Sequence, residues 1–327
     1  MRLSFAIGDY DRVRALRDGR VRADGIEFVF LPLGPEEIFH RQIVHREFDV
    51  SEMSLGSYVT GLARGDLPFM AIPVFPSRAF RHSGAYVNVD AGIATPSDLG
   101  GKCVGVGEYQ LTANVWLRGI LQEEHNVRPS ELRWYVGGLE QAGRRAKQTL
   151  SLPSDVHIEP IPEDETLSAM LERGALDAVF SPRMPPPFAR RSPRVRRLFP
   201  GYRAAEAEYF ARTRIFPIMH TVVIREEIYR RDPWIAQSLV KALTEAKRIC
   251  ADAIYNTATL SYMLPWMNDE IETVRALMGD DWWPYDIEPN RKTLETFLRY
   301  MEEQGIAGRR LTVEELFAPE TIDTFKI

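Results

Sequence analysis

The sequence predicts an α/β fold spread over about two domains. Three observations carry this expectation. Short apolar, often β-branched runs alternate with longer stretches whose apolar residues recur at helical spacing. The alternation repeats in the order strand–helix–strand, which favours parallel pairing. A length of 327 residues exceeds what one hydrophobic core usually serves and buries sizeable cores without disulfides or a structural metal.

Taken in order, residues 3–7 form a first strand, with Leu3, Phe5 and Ile7 alternating against Ser4 and Ala6. Ala23-Asp24-Gly25 marks a turn, and residues 27–31 read as a second strand. Pro35 opens a helix carrying Ile38, Phe39, Ile43 and Val44, since proline suits the first helical turn. Residues 48–50 read as a short strand, 55–63 as a helix stopped near Gly65, and 69–75 as a further strand. A new unit opens at the turn-rich stretch 94–102, followed by a strand at 103–106 and an amphipathic helix at 112–124 with Val115, Trp116, Ile120 and Leu121. Strands at 134–136, 157–160 and 177–180 and a helix at 165–173 complete it. Residues 220–224 return to a β-branched strand, and 233–255 form a long helix with Ile235, Leu239, Leu243 and Ile249. Residues 258–305 are helical stretches broken by Pro265, Gly279, Pro284 and Pro289, and a short helix and tail follow from Leu311.

Composition narrows the function classes. Lys and Arg number 41 against 46 Asp and Glu, a net charge of −5, so the chain lacks the overall field of a nucleic-acid binder. No apolar run reaches the ~18 residues a membrane span needs. The apolar stretch before Asp9 is too short for a signal peptide, and Cys103 and Cys250 form no CxxC pattern. The expectation is a cytoplasmic protein with two free thiols, no nucleic-acid partner and no membrane partner. Gly105 and Gly107 follow a strand, but Gln110 stands where a dinucleotide-binding loop needs its third glycine. His40 and His45 are five apart, which does not stack them on one helix face. The arginines between 190 and 203 read as a solvated face.

The polar residues that matter gather where strands end, the usual place for ligands in open α/β sheets. Arg78, Arg81, His82 and Ser83 share the connection after the strand at 69–75. Ser51-Glu52-Met53-Ser54 lies between a strand and a helix start, and so does Glu108-Tyr109-Gln110-Leu111-Thr112; Ser54 and Thr112 suit either anion binding or helix capping. Arg183 follows the strand at 177–180, and His220 opens the strand at 220–224. Arginine offers a planar fork matched to a carboxylate, and histidine a proton that moves near neutral pH.

These segments together resemble the 4,5-dihydroxyphthalate decarboxylase family, which is related to type-2 periplasmic solute-binding proteins. The residues carrying the resemblance are DVSEMSLGSY (49–58), PVFPSRAFRHSGAYV (73–87), TPSDLGGKCVGV (95–106), DAVFSPRMPP (177–186), FPIMHTVVIR (216–225) and EPNRKTLETFLRY (288–300). TPSDLGGK is common to many solute-binding proteins, whereas FPSRAFRHS and FPIMH are more specific. The resemblance implies a two-lobed type-2 periplasmic-binding-protein-like fold with a ligand cleft between the lobes. Lobe one would hold residues 1–90 and 215–327, and lobe two residues 91–214.

The resemblance also implies a cofactor-independent decarboxylase acting on a hydroxylated aromatic dicarboxylate, as in the breakdown of phthalates. Such a reaction needs an acid, a base and a clamp for the carboxylate that stays. Arg78, Arg81 and Arg183 are expected to recognise carboxylate, and Ser54, Ser83, Tyr109 and Thr112 to add hydrogen bonds. His82 and His220 are the candidate proton donors, and Glu52 the candidate base or hydroxyl acceptor. A divalent metal held by Glu52 and a histidine is the retained alternative, although no spacing demands it, and assembly into a homo-oligomer is left open. The rival reading is a non-enzymatic solute-binding or sensory protein for a small carboxylate. A pyrimidine-precursor synthase of the related thiamine group is weaker, since nothing points to a phosphopyridoxal lysine.

Overall fold

The computed structural model describes residues 1–144 and 152–322, and the chain divides into two compact units. The first comprises Met1–Arg78, Ile218–Glu295 and Leu311–Ile327, and the second Ala79–Pro217 and Thr296–Arg310. Relative to the expected bounds, residues 79–90, 215–217 and 296–310 group with the second unit. The fifth strand, which joins the six-stranded sheet, explains the first of these differences. The strands, numbered along the whole chain, are β1 (Arg2–Ile7), β2 (Glu27–Pro32), β3 (Val50–Ser54), β4 (Phe69–Arg78), β5 (Ala85–Asn88), β6 (Cys103–Val106), β7 (Arg133–Val136), β8 (His157–Pro160), β9 (Ala178–Phe180), β10 (Val195–Arg197) and β11 (Ile218–Arg225).

The first unit holds a five-stranded sheet in the order β2-β1-β3-β11-β4. β1 pairs in parallel with β2 and β3, but β11 is antiparallel to both β3 and β4. The sheet is therefore mixed, not purely parallel. Phe5, Val50, Met53, Ile72, Val222 and Val223 are fully buried in it. The starts and stops of its helices follow local chemistry. Pro35 begins Pro35–His45, where a missing N–H costs nothing. Gly65, at φ +73°, ends Leu55–Arg64 in a left-handed turn that a side chain would strain. Trp234–Ile254 is the long amphipathic helix, with Ile235, Leu239 and Leu243 buried.

The second unit holds a six-stranded sheet in the order β10-β5-β9-β6-β7-β8. β6 lies parallel between β7 and β9, and β5 runs antiparallel to β9 and β10. Helix Thr112–His125 packs Val115, Trp116, Ile120 and Leu121 into the core. Residues 296–310 belong here through that helix. Phe297 and Tyr300 lie against Trp116, with ring centroids 5.4 and 5.7 Å away, and Gln304 accepts from Arg118 Nε at 2.8 Å. Among the described residues no helix is long and apolar enough to cross a membrane.

Candidate functional site

In three strands, β3, β4 and β11, the bounds depart from expectation in a way that moves the polar residues with them. β3 runs through Ser51-Glu52-Met53-Ser54, so Glu52 lies inside a strand and not on a connection. β4 continues to Arg78, and β11 begins before His220. Asp49 anchors the start of β3: its carboxylate accepts from Ser4 N and Ser4 Oγ at 2.8 and 2.9 Å and pairs with Arg225. Strand geometry then begins one residue later, at Val50.

In the first unit, Glu52 is the organising group. It is fully buried, yet it accepts three hydrogen bonds. His220 Nδ1 lies 2.5 Å from Oε1, the Tyr10 hydroxyl donates to Oε1 at 2.7 Å, and the Gly8 N–H donates to Oε2 at 3.1 Å. Gly8 follows directly on β1, the parallel neighbour of β3, and Tyr10 comes two residues later, which brings them level with Glu52. Burial by itself pushes the Glu52 carboxyl up, but the His220 charge and the hydrogen bonds from His220, Tyr10 and Gly8 more than offset it. The carboxyl is therefore held below its ordinary range. Burial and the neighbouring Glu52 charge push the Tyr10 phenol up, so it remains a donor. A carboxylate that accepts Nδ1–H leaves Nε2 as the exchangeable position of the His220 ring. Phe39 packs edge-on against that ring at 4.9 Å.

Ser54 stands opposite His220 in the register and also serves as the N-cap of Leu55–Arg64, accepting from Ser57 N at 3.5 Å. Arg78 is buried, and its Nη2 donates to the Pro284 carbonyl at 2.7 Å and to Asn290 Oδ1. Burial pushes it down to about 9, which leaves it a cation at neutral pH. Arg12 is a further cation of this unit. It donates from Nε to the Pro76 carbonyl at 2.6 Å and lies over the Tyr10 and Trp283 rings.

The second unit holds the remaining candidates, in separate places. His82 is buried between Phe199 and Tyr209, whose rings lie 5.1 and 5.5 Å away. Burial, helped by His125, pushes it down to about 4, so it is neutral at pH 7. Ser83 donates its N–H to Glu206 Oε1 at 3.2 Å, and burial pushes Arg81 down to about 10. Tyr109 is buried beneath the Arg118 guanidinium, 3.7 Å from its ring centre. Thr112 is the first residue of helix Thr112–His125 and also buried. Arg183 is exposed, with its N–H on Ser181 Oγ at 3.1 Å. No third His, Cys, Asp or Glu joins Glu52 and His220 in a metal-sized cluster among the described residues.

Sequence reasoning missed Tyr10, Arg118 and Glu206. Tyr10 carried a usable signal, because it lies on the connection that leaves the first strand. Arg118 and Glu206 carried none, since both sit mid-helix, where a charged residue ordinarily faces water.

No protein-family model matches the chain. A 4,5-dihydroxyphthalate decarboxylase of Comamonas testosteroni is 43% identical over 327 residues, which covers 100% of this chain and 99% of that relative. The chain belongs to the 4,5-dihydroxyphthalate decarboxylase family. A second member, from Pseudomonas putida, is 47% identical over 210 residues, 64% of this chain and 81% of its own length. Among solved structures, the periplasmic aliphatic sulphonate binding protein SsuA from Escherichia coli matches with a TM-score of 0.54 and 13% identity over 98% of both chains. The ligand-binding component of an ABC-type import system from Staphylococcus aureus matches with a TM-score of 0.51 and 9% identity, again over 98% of both. At such identities the likeness concerns fold alone. The chain thus has a periplasmic-binding-protein-like α/β architecture.

Proposed function

We propose that this chain is a decarboxylase of 4,5-dihydroxyphthalate that works without a cofactor. The observation that carries the reading is the buried Glu52 accepting His220 Nδ1, which directs the other ring nitrogen toward proton transfer. The full-length relative at 43% identity supports the substrate.

The chemistry asks little else of the protein. Each carboxylate of 4,5-dihydroxyphthalate is para to a ring hydroxyl. When that hydroxyl gives up its proton to water, electron density reaches the ring carbon bearing the carboxylate. His220 Nε2 then protonates this carbon and yields a non-aromatic dienone. The C–C bond to the carboxylate breaks, CO2 leaves, and its bonding pair restores the ring as a phenolate. The phenolate regains a proton, so one proton is consumed per CO2 and 3,4-dihydroxybenzoate remains. The ring is its own electron sink. Glu52, already accepting three hydrogen bonds, acts through His220 and not as the base. Arg78, Arg81 and Arg183 stay assigned to carboxylate recognition, with Ser54, Ser83, Tyr109 and Thr112 as hydrogen-bonding groups. Two unpaired cysteines suit a reducing compartment, and a cytoplasmic site of action is part of the reading.

A non-enzymatic carboxylate binder shares the fold, but such binding has no need of a buried Glu–His pair. The deciding experiment incubates purified protein with 4,5-dihydroxyphthalate and measures CO2 and 3,4-dihydroxybenzoate together, with and without prior dialysis against a chelator. Equal yields of both products, unchanged by the chelator, are expected. Tight substrate binding with no CO2 would leave the binder reading in place.

A further inference from the structure

We propose that Glu206 is a positioning residue of the Arg81–Ser83 loop and takes up a proton when an aromatic dicarboxylate binds there. The inference deepens the proposed function and rests on its assignment of Arg81 to carboxylate recognition. Glu206 projects from helix Tyr202–Thr213 with its side chain 13% exposed. Its Oε1 accepts the Ser83 N–H at 3.2 Å and lies 3.9 Å from His82 Nδ1. That Nδ1 is buried and has no hydrogen-bond partner among the described residues. Arg197, from β10, donates Nε to the Ser83 carbonyl at 3.3 Å and stacks on Phe188 and Tyr202. The charged and titratable groups facing Glu206 are therefore Arg81 and His82 from the loop and Arg197 from the sheet, with His125 and Glu124 acting on His82 from helix Thr112–His125.

The physical consequence follows from charge. Glu206 supplies the negative charge that Arg81 and Arg197 feel in the absence of ligand. A ligand carboxylate at Arg81 would add like charge beside a largely buried one, which disfavours the ionised form. Burial has already pushed Glu206 up to about 7, so a modest added potential suffices near neutrality. The proton forms one O–H bond on Glu206, and the orphan His82 Nδ1 is the nearest acceptor for it. His82, neutral at pH 7, has a lone pair to offer. Protonation also removes the negative charge that competes with the ligand for Arg81. By linkage, binding should tighten as pH falls through the Glu206 range.

The test is calorimetric binding of phthalate, which lacks the ring hydroxyls the proposed chemistry requires, in two buffers of unlike ionisation enthalpy at pH 7. Wild type should take up on the order of half a proton per ligand, and Glu206→Gln should take up none. Glutamine keeps an acceptor for the Ser83 N–H, and should that variant not fold, uptake by wild type at pH 5, 7 and 9 decides, with a maximum expected near neutrality. Uptake persisting in Glu206→Gln, or phthalate bound to wild type without uptake, overturns the inference alone. Phthalate binding with full uptake in Arg81→Ala removes instead the role of Arg81. Wild type that binds no phthalate overturns both.

Discussion

His220 and Glu52 meet diagonally across two antiparallel strands. In the register His220 faces Ser54, and Glu52 faces Val222, yet His220 Nδ1 and Glu52 Oε1 are 2.5 Å apart. Residues two apart on a strand share a face, and a diagonal pair lies within reach of long side chains. The contact thus needs only the β3–β11 register, and a slip of one residue would turn one partner to the opposite face.

Replacing His220 by Gln should separate chemistry from binding. The variant keeps a polar side chain but cannot donate a proton as an imidazolium. We expect kcat to fall by roughly 10²–10⁴-fold with KM little changed. Steady-state kinetics across pH should also lose one limb of the profile. A variant with near-normal kcat would dismiss His220 as the acid.

Glu52 should leave a signature in acid stability. Its folded pKa lies below the unfolded value near 4.5, so its contribution is present above that value and is lost as pH falls through the folded pKa. Glu52→Gln should be less stable at pH 7, by about 1–3 kcal/mol for a hydrogen bond to a charged group. It should also lose part of the wild-type decline below pH 4.5. Urea unfolding at pH 7, 5 and 3 measures both, and parallel stability curves for the two proteins would contradict the assignment.

Arg78 should matter even without substrate. Its guanidinium ties the end of β4 to the Pro284 carbonyl and Asn290. Arg78→Ala takes the donor from the buried Asn290 Oδ1, which costs about 1–3 kcal/mol, while the Pro284 carbonyl keeps Asn290 Nδ2 as a donor. A lowered Tm in ligand-free protein is expected beside any rise in KM. An unchanged Tm would assign Arg78 to ligand binding alone.

Gly119 tests why residues 296–310 join the second unit. A Cβ there would lie 2.2 Å from Tyr300 Cε2, and Tyr300 is held in the core by its hydroxyl contact with Glu123. Gly119→Ala gains roughly 1 kcal/mol of helix propensity but should lose about 1–3 kcal/mol to overpacking. A net drop in stability by thermal unfolding is expected, and Tyr300→Leu in the same chain should restore part of it.

The α/β alternation was legible locally, because apolar periodicity, Pro35 and Gly65 act over neighbouring residues. The sequence also carried the segments that mark the family. It placed His220 on the right strand but left Glu52 on a connection, and 168 residues separate the two, so periodicity could not say which strand lies beside which. It took the folded chain to show that β11 returns antiparallel between β3 and β4 and so delivers an imidazole to a buried carboxylate. The same holds for Glu206, 123 residues from Ser83, and for Arg78, whose partner Asn290 lies 212 residues on. Burial and hydrogen bonding set the chemistry of these groups, and both are supplied by segments distant in the chain.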